Sequence, residues 1–192
     1  MAVRRDNWIS LEDFLALDRE SLDQKYEYCH GRMYALAGGS NRHSIIAGNA
    51  MFLVRQLLDE KGCNNCVVFN SDMTVRLRDS CRLPDVSVSC DPRDIEDFKH
   101  YIEYPFLIIE VLSPATENED RERKRFEYLE WPSIQEYVMI SQDIQRVEVF
   151  TRKGTMWLYH FYKKGDIVEL KSINVCFPID RLYRLVIPSD ID

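Results

Sequence analysis

Phe106-Leu107-Ile108-Ile109-Glu110-Val111-Leu112-Ser113-Pro114-Ala115-Thr116 is the stretch on which the fold turns. Six of its first seven residues are apolar, which suits a strand covered on both faces rather than one alternating between core and water. Glu110 interrupts the run, and an ionised carboxylate is costly to bury there unless a cation or a hydrogen-bond network compensates it. Pro114 ends the strand. Thr116-Glu117-Asn118-Glu119 reads as a capping box, so the spacing predicts a helix to about Tyr128 or Glu130, before Trp131-Pro132 stops it. A second carboxylate, Asp85, lies in a comparable run, Leu83-Pro84-Asp85-Val86-Ser87-Val88.

Upstream, Ser10 and Asp13 frame the start of a helix that runs through about residue 18, with a turn or short helix near Ser21 to Tyr26. Tyr28 to Ala37 reads as a hairpin turning at Gly31. Gly38-Gly39-Ser40-Asn41 is a loop with an N-cap at its end. A helix follows over His43 to Lys61, with Ile46, Ala50, Leu53, Val54, Leu57 and Leu58 at helical spacing and Gly62 closing it. Strands are expected over Cys66–Asn70, Met73–Leu77, Asp85–Ser89 and Phe106–Leu112. Beyond the helix after Thr116 come Glu136–Ser141, Val147–Thr151, Met156–Phe161 and Asp166–Leu170. The pattern packs as one α/β (α+β) domain, a mixed central sheet flanked by helices. Its core spans about residues 10–150, and a β-rich extension covers about 151–192.

The 192 residues, 45% hydrophobic and 30% charged, suit a single domain with a real core. No apolar stretch approaches the roughly 20 residues of a spanning helix, and the N-terminus lacks the apolar core of a secretory signal. A cytoplasmic protein is expected. The net charge of -7 weighs against broad nonspecific affinity for nucleic acid, but it does not exclude a nuclease. Metal ligands are themselves acidic, and a bound divalent ion reverses their sign locally. The six cysteines read as free thiols. Cys63-Asn64-Asn65-Cys66 has the spacing of a zinc knuckle, yet Cys81 and Cys90 stand too far apart to make the second one.

Phosphodiester hydrolysis needs a metal to supply a nucleophile near neutral pH and to offset charge on the scissile phosphate. Hard ions take carboxylate and carbonyl oxygens, which rigid strand ends can hold. A lysine nearby orients water or stabilises charge. Asp85, Glu110 and Lys124 supply these types. Each also has a plainer reading. Asp85 would cap a turn, Glu110 would reach solvent or an arginine, and Lys124 would pair with Asp120 four residues before it. Glu27 would pair with Arg32 across the hairpin, His43 would make a local hydrogen bond, and Asp72 would end a tight turn.

Pro84-Asp85 followed by Glu110-Val111-Leu112 resembles the PD-(D/E)XK signature of restriction-endonuclease-like enzymes, except that Leu112 stands where that signature has lysine. The ordered set Ile109 to Thr116, Asp120-Arg121, Lys124, Tyr128 and Glu136-Tyr137 resembles the Uma-type restriction endonuclease family, in which the lysine has moved to the following helix. Tyr26-Glu27, His30-Gly31-Arg32 and His43 fit the same pattern. The resemblance implies a restriction-endonuclease-like fold and Mg²⁺- or Mn²⁺-dependent DNA cleavage, with DNA as partner; a homodimer is then expected, because two sites related by a twofold axis cut both strands more easily. It makes Asp85 and Glu110 metal ligands, the Val111 carbonyl a third oxygen and Lys124 the water-orienting or charge-stabilising group. Glu27 takes a second-metal or outer-shell position, and His43 and Asp72 take accessory ones. Two alternatives remain open: a catalytically idle nuclease-fold protein serving DNA binding or assembly, and a small regulator that binds metal through its cysteines.

Overall fold

The computed structural model describes residues 8–21, 24–95 and 100–186. Helix α1, Leu11–Glu20, starts at the expected capping box: Ser10 Oγ accepts the Asp13 N–H at 3.1 Å and donates to Asp13 Oδ2 at 2.7 Å. The turn expected over Ser21 to Tyr26 falls partly outside the described residues, and Tyr26 already opens β1, Tyr26–Cys29. With β2, Arg32–Ala35, it forms the hairpin. His30 and Gly31 both take positive φ, 46° and 82°, as a type I′ turn requires. A side chain at Gly31 would also run into the Trp8 ring.

Helix α2, Asn41–Glu60, is capped by Ser40, whose Oγ accepts the His43 N–H at 3.1 Å. Its apolar stripe of Ile46, Ala50, Leu53, Val54 and Leu58 is buried. A six-stranded sheet underlies it, built from β3 (Val67–Asn70), β6 (Val86–Ser89), β8 (Leu107–Leu112), β9 (Glu136–Ser141), β10 (Arg146–Lys153) and β11 (Met156–Lys163) in the order β11-β10-β9-β8-β6-β3. It is mixed: β8 runs parallel to β9 and antiparallel to β6. All six residues of β8 are buried, because both faces are covered. Leu107, Ile109 and Val111 join the core shared with α2. Ile108 and Leu112 face Tyr128, Ile134 and Tyr137 on the other side.

A second sheet has the order β2-β1-β5-β4-β7, with β4 at Thr74–Arg76, β5 at Ser80–Arg82 and β7 at Tyr101–Ile102. Strand β5 was not anticipated. Ser80-Cys81-Arg82 has little strand character, yet it is buried between β1 and β4, so pairing overrides propensity. Helix α3 is the short turn Pro92–Ile95. Strands β12 (Ile167–Leu170) and β13 (Val175–Pro178) close the chain as a two-stranded sheet on the α2 side of the core.

The helix after β8 departs from expectation in two ways. It consists of α4 (Glu117–Glu119), a π turn (Asp120–Lys124) and α5 (Arg125–Glu130). Thr116 does not cap it: its backbone is already helical, and its hydroxyl sits 3.0 Å from Ser113 Oγ. The expectation of free thiols also needs correction. Cys66 and Cys90 are joined by a disulfide, because the β3–β6 register, with Val67 opposite Ser89, sets these two residues against each other.

Candidate active site

Asp85 lies just before β6 rather than within it. Val86 is registered with Ile109, so one further antiparallel step puts Asp85 beside Glu110. Asp85 Oδ2 accepts the Val111 N–H at 2.7 Å and contacts His43 Nε2 at 3.2 Å. The hydrogen-bonded Asp85 carboxylate raises the His43 imidazole above its usual range, against the effect of burial, and the Val111 carbonyl adds to the shift. His43 is in the first turn of α2, so the loop that caps the helix also aims this ring.

Glu110 points to the opposite face from Val111 and is buried. Its Oε1 accepts from Lys124 Nζ at 3.1 Å and from Tyr128 Oη at 3.2 Å. The same ammonium stands 3.0 Å from Glu27 Oε1 and 3.1 Å from Asp120 Oδ1. Asp120, Lys124 and Tyr128, spaced four apart, all turn inward because the widened π turn offsets the drift of an ordinary helix. Arg82, 1% exposed, holds the outer side. It donates to Glu27 Oε2 at 3.0 Å and grips Glu127 with two bonds of 2.7 Å. Glu27 also accepts the Leu83 N–H at 3.1 Å. Its partner is therefore not Arg32.

The electrostatics are unequal across this cluster. Burial pushes Glu110 well above the ordinary carboxylate range; Lys124 opposes this, while Asp120, Asp85 and Glu27 add to it. Burial likewise raises Asp120 against the pull of Lys124. Burial would also raise Glu27, but Lys124, Arg82 and the Leu83 N–H outweigh it and hold that carboxyl low. Burial lowers Lys124, yet Glu110, Glu27 and Asp120 carry it well above the ordinary lysine range. The three carboxylates around it favour its ammonium form.

Carboxylate oxygens are the donor type that a hard divalent cation takes. Glu27, Asp85, Glu110 and Asp120 crowd together with one lysine and one histidine among them. Asp120 Oδ1 is buried, and Lys124 Nζ stands 3.1 Å from it. Lys124 pairs with Glu27, Glu110 and Asp120, and His43 pairs with Asp85, so these carboxylates are held by the protein's own cations. Accordingly, the places among the described residues where three His, Cys, Asp or Glu donor atoms fall within 4.8 Å of one another are Cys63, Cys66 and Cys90, and Cys29, His30 and Glu127. Asp72 does not join the cluster. It pairs with Lys25 at 2.5 Å at the exposed β3–β4 turn and lines a separate cleft of about 370 Å³ with Asp18 and His100. Sequence reasoning did not single out Arg82 as a site residue; it used Tyr128 as a pattern position and Asp120 also as the ion-pair partner of Lys124, a pair the structure contains. The one signal for Arg82 was an arginine beside Leu83-Pro84-Asp85.

Among the described residues no helix is long and apolar enough to cross a membrane. Residues 11–177 match the family model Uma2, described as "Putative restriction endonuclease". Two uncharacterized proteins of Synechocystis sp. are similar over most of their length. One, slr1290, is 36% identical over 179 residues, covering 92% of both chains; the other, sll1609, is 32% identical over 162 residues, covering 82% of this chain and 89% of the relative. Among solved structures, a crystal structure titled as a putative nuclease belonging to DUF820 from Anabaena variabilis shares the fold. It superposes with a TM-score of 0.76 at 20% identity, covering 92% of this chain and 98% of the other.

Proposed function

Because the chain belongs to the Uma2 restriction-endonuclease family, we propose that it is a divalent-metal-dependent endodeoxyribonuclease of the PD-(D/E)XK type. The observation that carries the reading is the meeting of Lys124 with Glu110, on a cluster that also holds Asp85, Glu27 and Asp120. Asp85, Glu110 and the Val111 carbonyl would hold Mg²⁺ or Mn²⁺. When bound, such an ion supplies Lewis acidity toward the phosphate and the attacking water. Lys124 donates its N–H bonds to charge that develops on the phosphate oxygens. Glu27 and Asp120 fix the ammonium, and Arg82 fixes Glu27. The start of α2, with His43 in its first turn, presents the positive end of the helix dipole, which favours a phosphate. Cleavage of both strands suits a twofold dimer, and the exposed Met156 and Leu158 on one face of the edge strand β11 offer it a surface. A cytoplasmic setting suits a DNA substrate.

The test is nicking of plasmid DNA by the purified chain with Mg²⁺ or Mn²⁺. Asp85→Ala should abolish nicking and leave the circular dichroism spectrum unchanged; full activity in that variant rejects the assignment. A second reading has its own observation. Glu110 and Lys124 are both buried and mutually paired, which suits an idle nuclease fold kept for DNA binding or assembly. Calorimetry with Mg²⁺ and Mn²⁺ separates the two, because the idle fold takes up neither ion.

A further inference from the structure

At the sheet edge opposite β11, three sulfurs meet. Cys63 and Cys66 bracket the Asn64-Asn65 link between α2 and β3, and Cys90 directly follows β6. Their sulfur atoms all lie within 4.8 Å of one another, and Cys63 Sγ stands 2.7 Å from Cys66 Sγ. Cys66 is buried while Cys63 and Cys90 are half-buried, so the trio is anchored in the core yet reachable from solvent. Asn65 adds a side-chain amide 3.4 Å from Cys63 Sγ and 3.9 Å from Cys66 Sγ. Such an amide can turn its N–H toward a thiolate and steady it. Cys81, the other partner considered from spacing, packs instead with Phe14 and Tyr28. The third sulfur therefore comes from strand pairing, not from a second knuckle.

Three thiolates are a soft donor set, which selects d¹⁰ cations such as zinc over magnesium or calcium. A two-residue spacer between cysteines is the usual way for a loop to offer two such ligands. We propose that Cys63, Cys66 and Cys90 form a thiolate site for zinc, with water or an external ligand in the fourth position, and that the Cys66–Cys90 disulfide closes it. In the disulfide form Cys63 is the one thiol left in the trio, too few for a tight site. Reduction by a dithiol opens it: the Cys66–Cys90 bond breaks, the dithiol becomes a disulfide, and its two protons pass to Cys66 and Cys90. Zinc then displaces the protons of the three thiols. The site ties the C-terminal end of α2 to the sheet edge. His43 and the carboxylate cluster lie at the other end of that 20-residue helix, about 30 Å away. The proposal is thus independent of the nuclease reading.

The test uses the full chain reduced with a phosphine and titrated with Co²⁺. Thiolate-to-cobalt charge transfer absorbs in the near ultraviolet, a signature that a carboxylate site does not give. One cobalt per chain should produce the band, one zinc should remove it, and the oxidised protein should not show it. Asp85→Ala and Cys176→Ser should keep the band, whereas Cys63→Ser and Cys90→Ser should lose it. Alkylation of the reduced wild-type chain with and without zinc, mapped by peptide mass, keeps the test valid should a cysteine variant not fold. Zinc should shield Cys63, Cys66 and Cys90 together. No band in the reduced protein, a band that survives Cys63→Ser, or shielding at other cysteines overturns the proposal.

Discussion

Lys124 Nζ lies 3.1 Å from Glu110 Oε1, although one residue belongs to the helix after the strand and the other to the strand itself, 14 positions earlier. A lysine at position 112 would rise from the same strand as Glu110. Here Leu112 fills that place and packs with Tyr128 and Ile134. The ammonium comes in from the π turn, bringing Asp120 with it. A charge delivered from a helix depends on that helix keeping its register.

Lys124→Ala should therefore do two things. Cleavage should fall by about 10²–10³-fold, the usual cost of one group that stabilises developing charge. Stability without divalent ions should fall by about 3–5 kcal/mol, because Glu27, Glu110 and Asp120 lose the cation they share. Mg²⁺ should restore part of that stability in the variant. Urea unfolding with and without Mg²⁺ measures it, and an equal loss in both conditions would argue against a metal among these carboxylates.

Glu148 on β10 fastens the π turn from outside. It accepts from Arg121 at 2.9 Å and from Tyr159 at 2.8 Å. Burial raises its carboxyl, but Arg121, Tyr159 and Arg146 outweigh burial and hold it below the ordinary range. A depressed carboxyl gives stability that is full above the unfolded pKa, near 4.5, and is lost as pH falls through the folded value. Glu148→Gln should cost about 1 kcal/mol at neutral pH, a modest figure because Arg121 is partly exposed. The gap from wild type should shrink as pH drops below that range. A gap independent of pH in thermal unfolding would show that charge is not what Glu148 contributes.

The cysteines outside the trio should differ sharply in reactivity. Burial pushes the Cys81 thiol up to about 12, whereas Cys176 is exposed. Near pH 8 iodoacetamide should modify Cys176 within minutes and leave Cys81 untouched until the domain opens. Peptide mapping over time reads both, and rapid labelling of Cys81 in the native protein would contradict its placement against Phe14 and Tyr28.

What could be read from the sequence, and what could not, divides along the range of the interactions. Strand β8, helix α2 and the Ser10 cap follow from local pattern, and the structure has them; the cap expected at the end of the Gly38–Asn41 loop falls on Ser40. The π turn does not, because nothing in Asp120 to Lys124 distinguishes a widened turn from an ordinary helix until Glu110 and Tyr137 are packed beneath it. Cys66 and Cys90 are 24 residues apart, and strand register alone unites them. The family resemblance made Asp72 an accessory candidate, yet Lys25 claims it.

Arg82 shows the same limit most clearly, and it gives the last prediction. An arginine flanked by Ser80, Cys81 and Leu83 gives no sign of burial, yet it is 1% exposed and bridges Glu27 to Glu127. Its planar fork makes two parallel bonds to Glu127 while a third donor reaches Glu27, a geometry that a lysine cannot reproduce. Arg82→Lys should thus cost about 2 kcal/mol, in line with hydrogen bonds to charged groups. In the proposed reaction Arg82 would act through Glu27 and Lys124, as a positioning residue. The variant should need more Mg²⁺ for half-maximal cleavage and bind DNA as wild type does. A change in DNA affinity with an unaltered metal requirement would place Arg82 at the substrate surface instead, which its burial forbids.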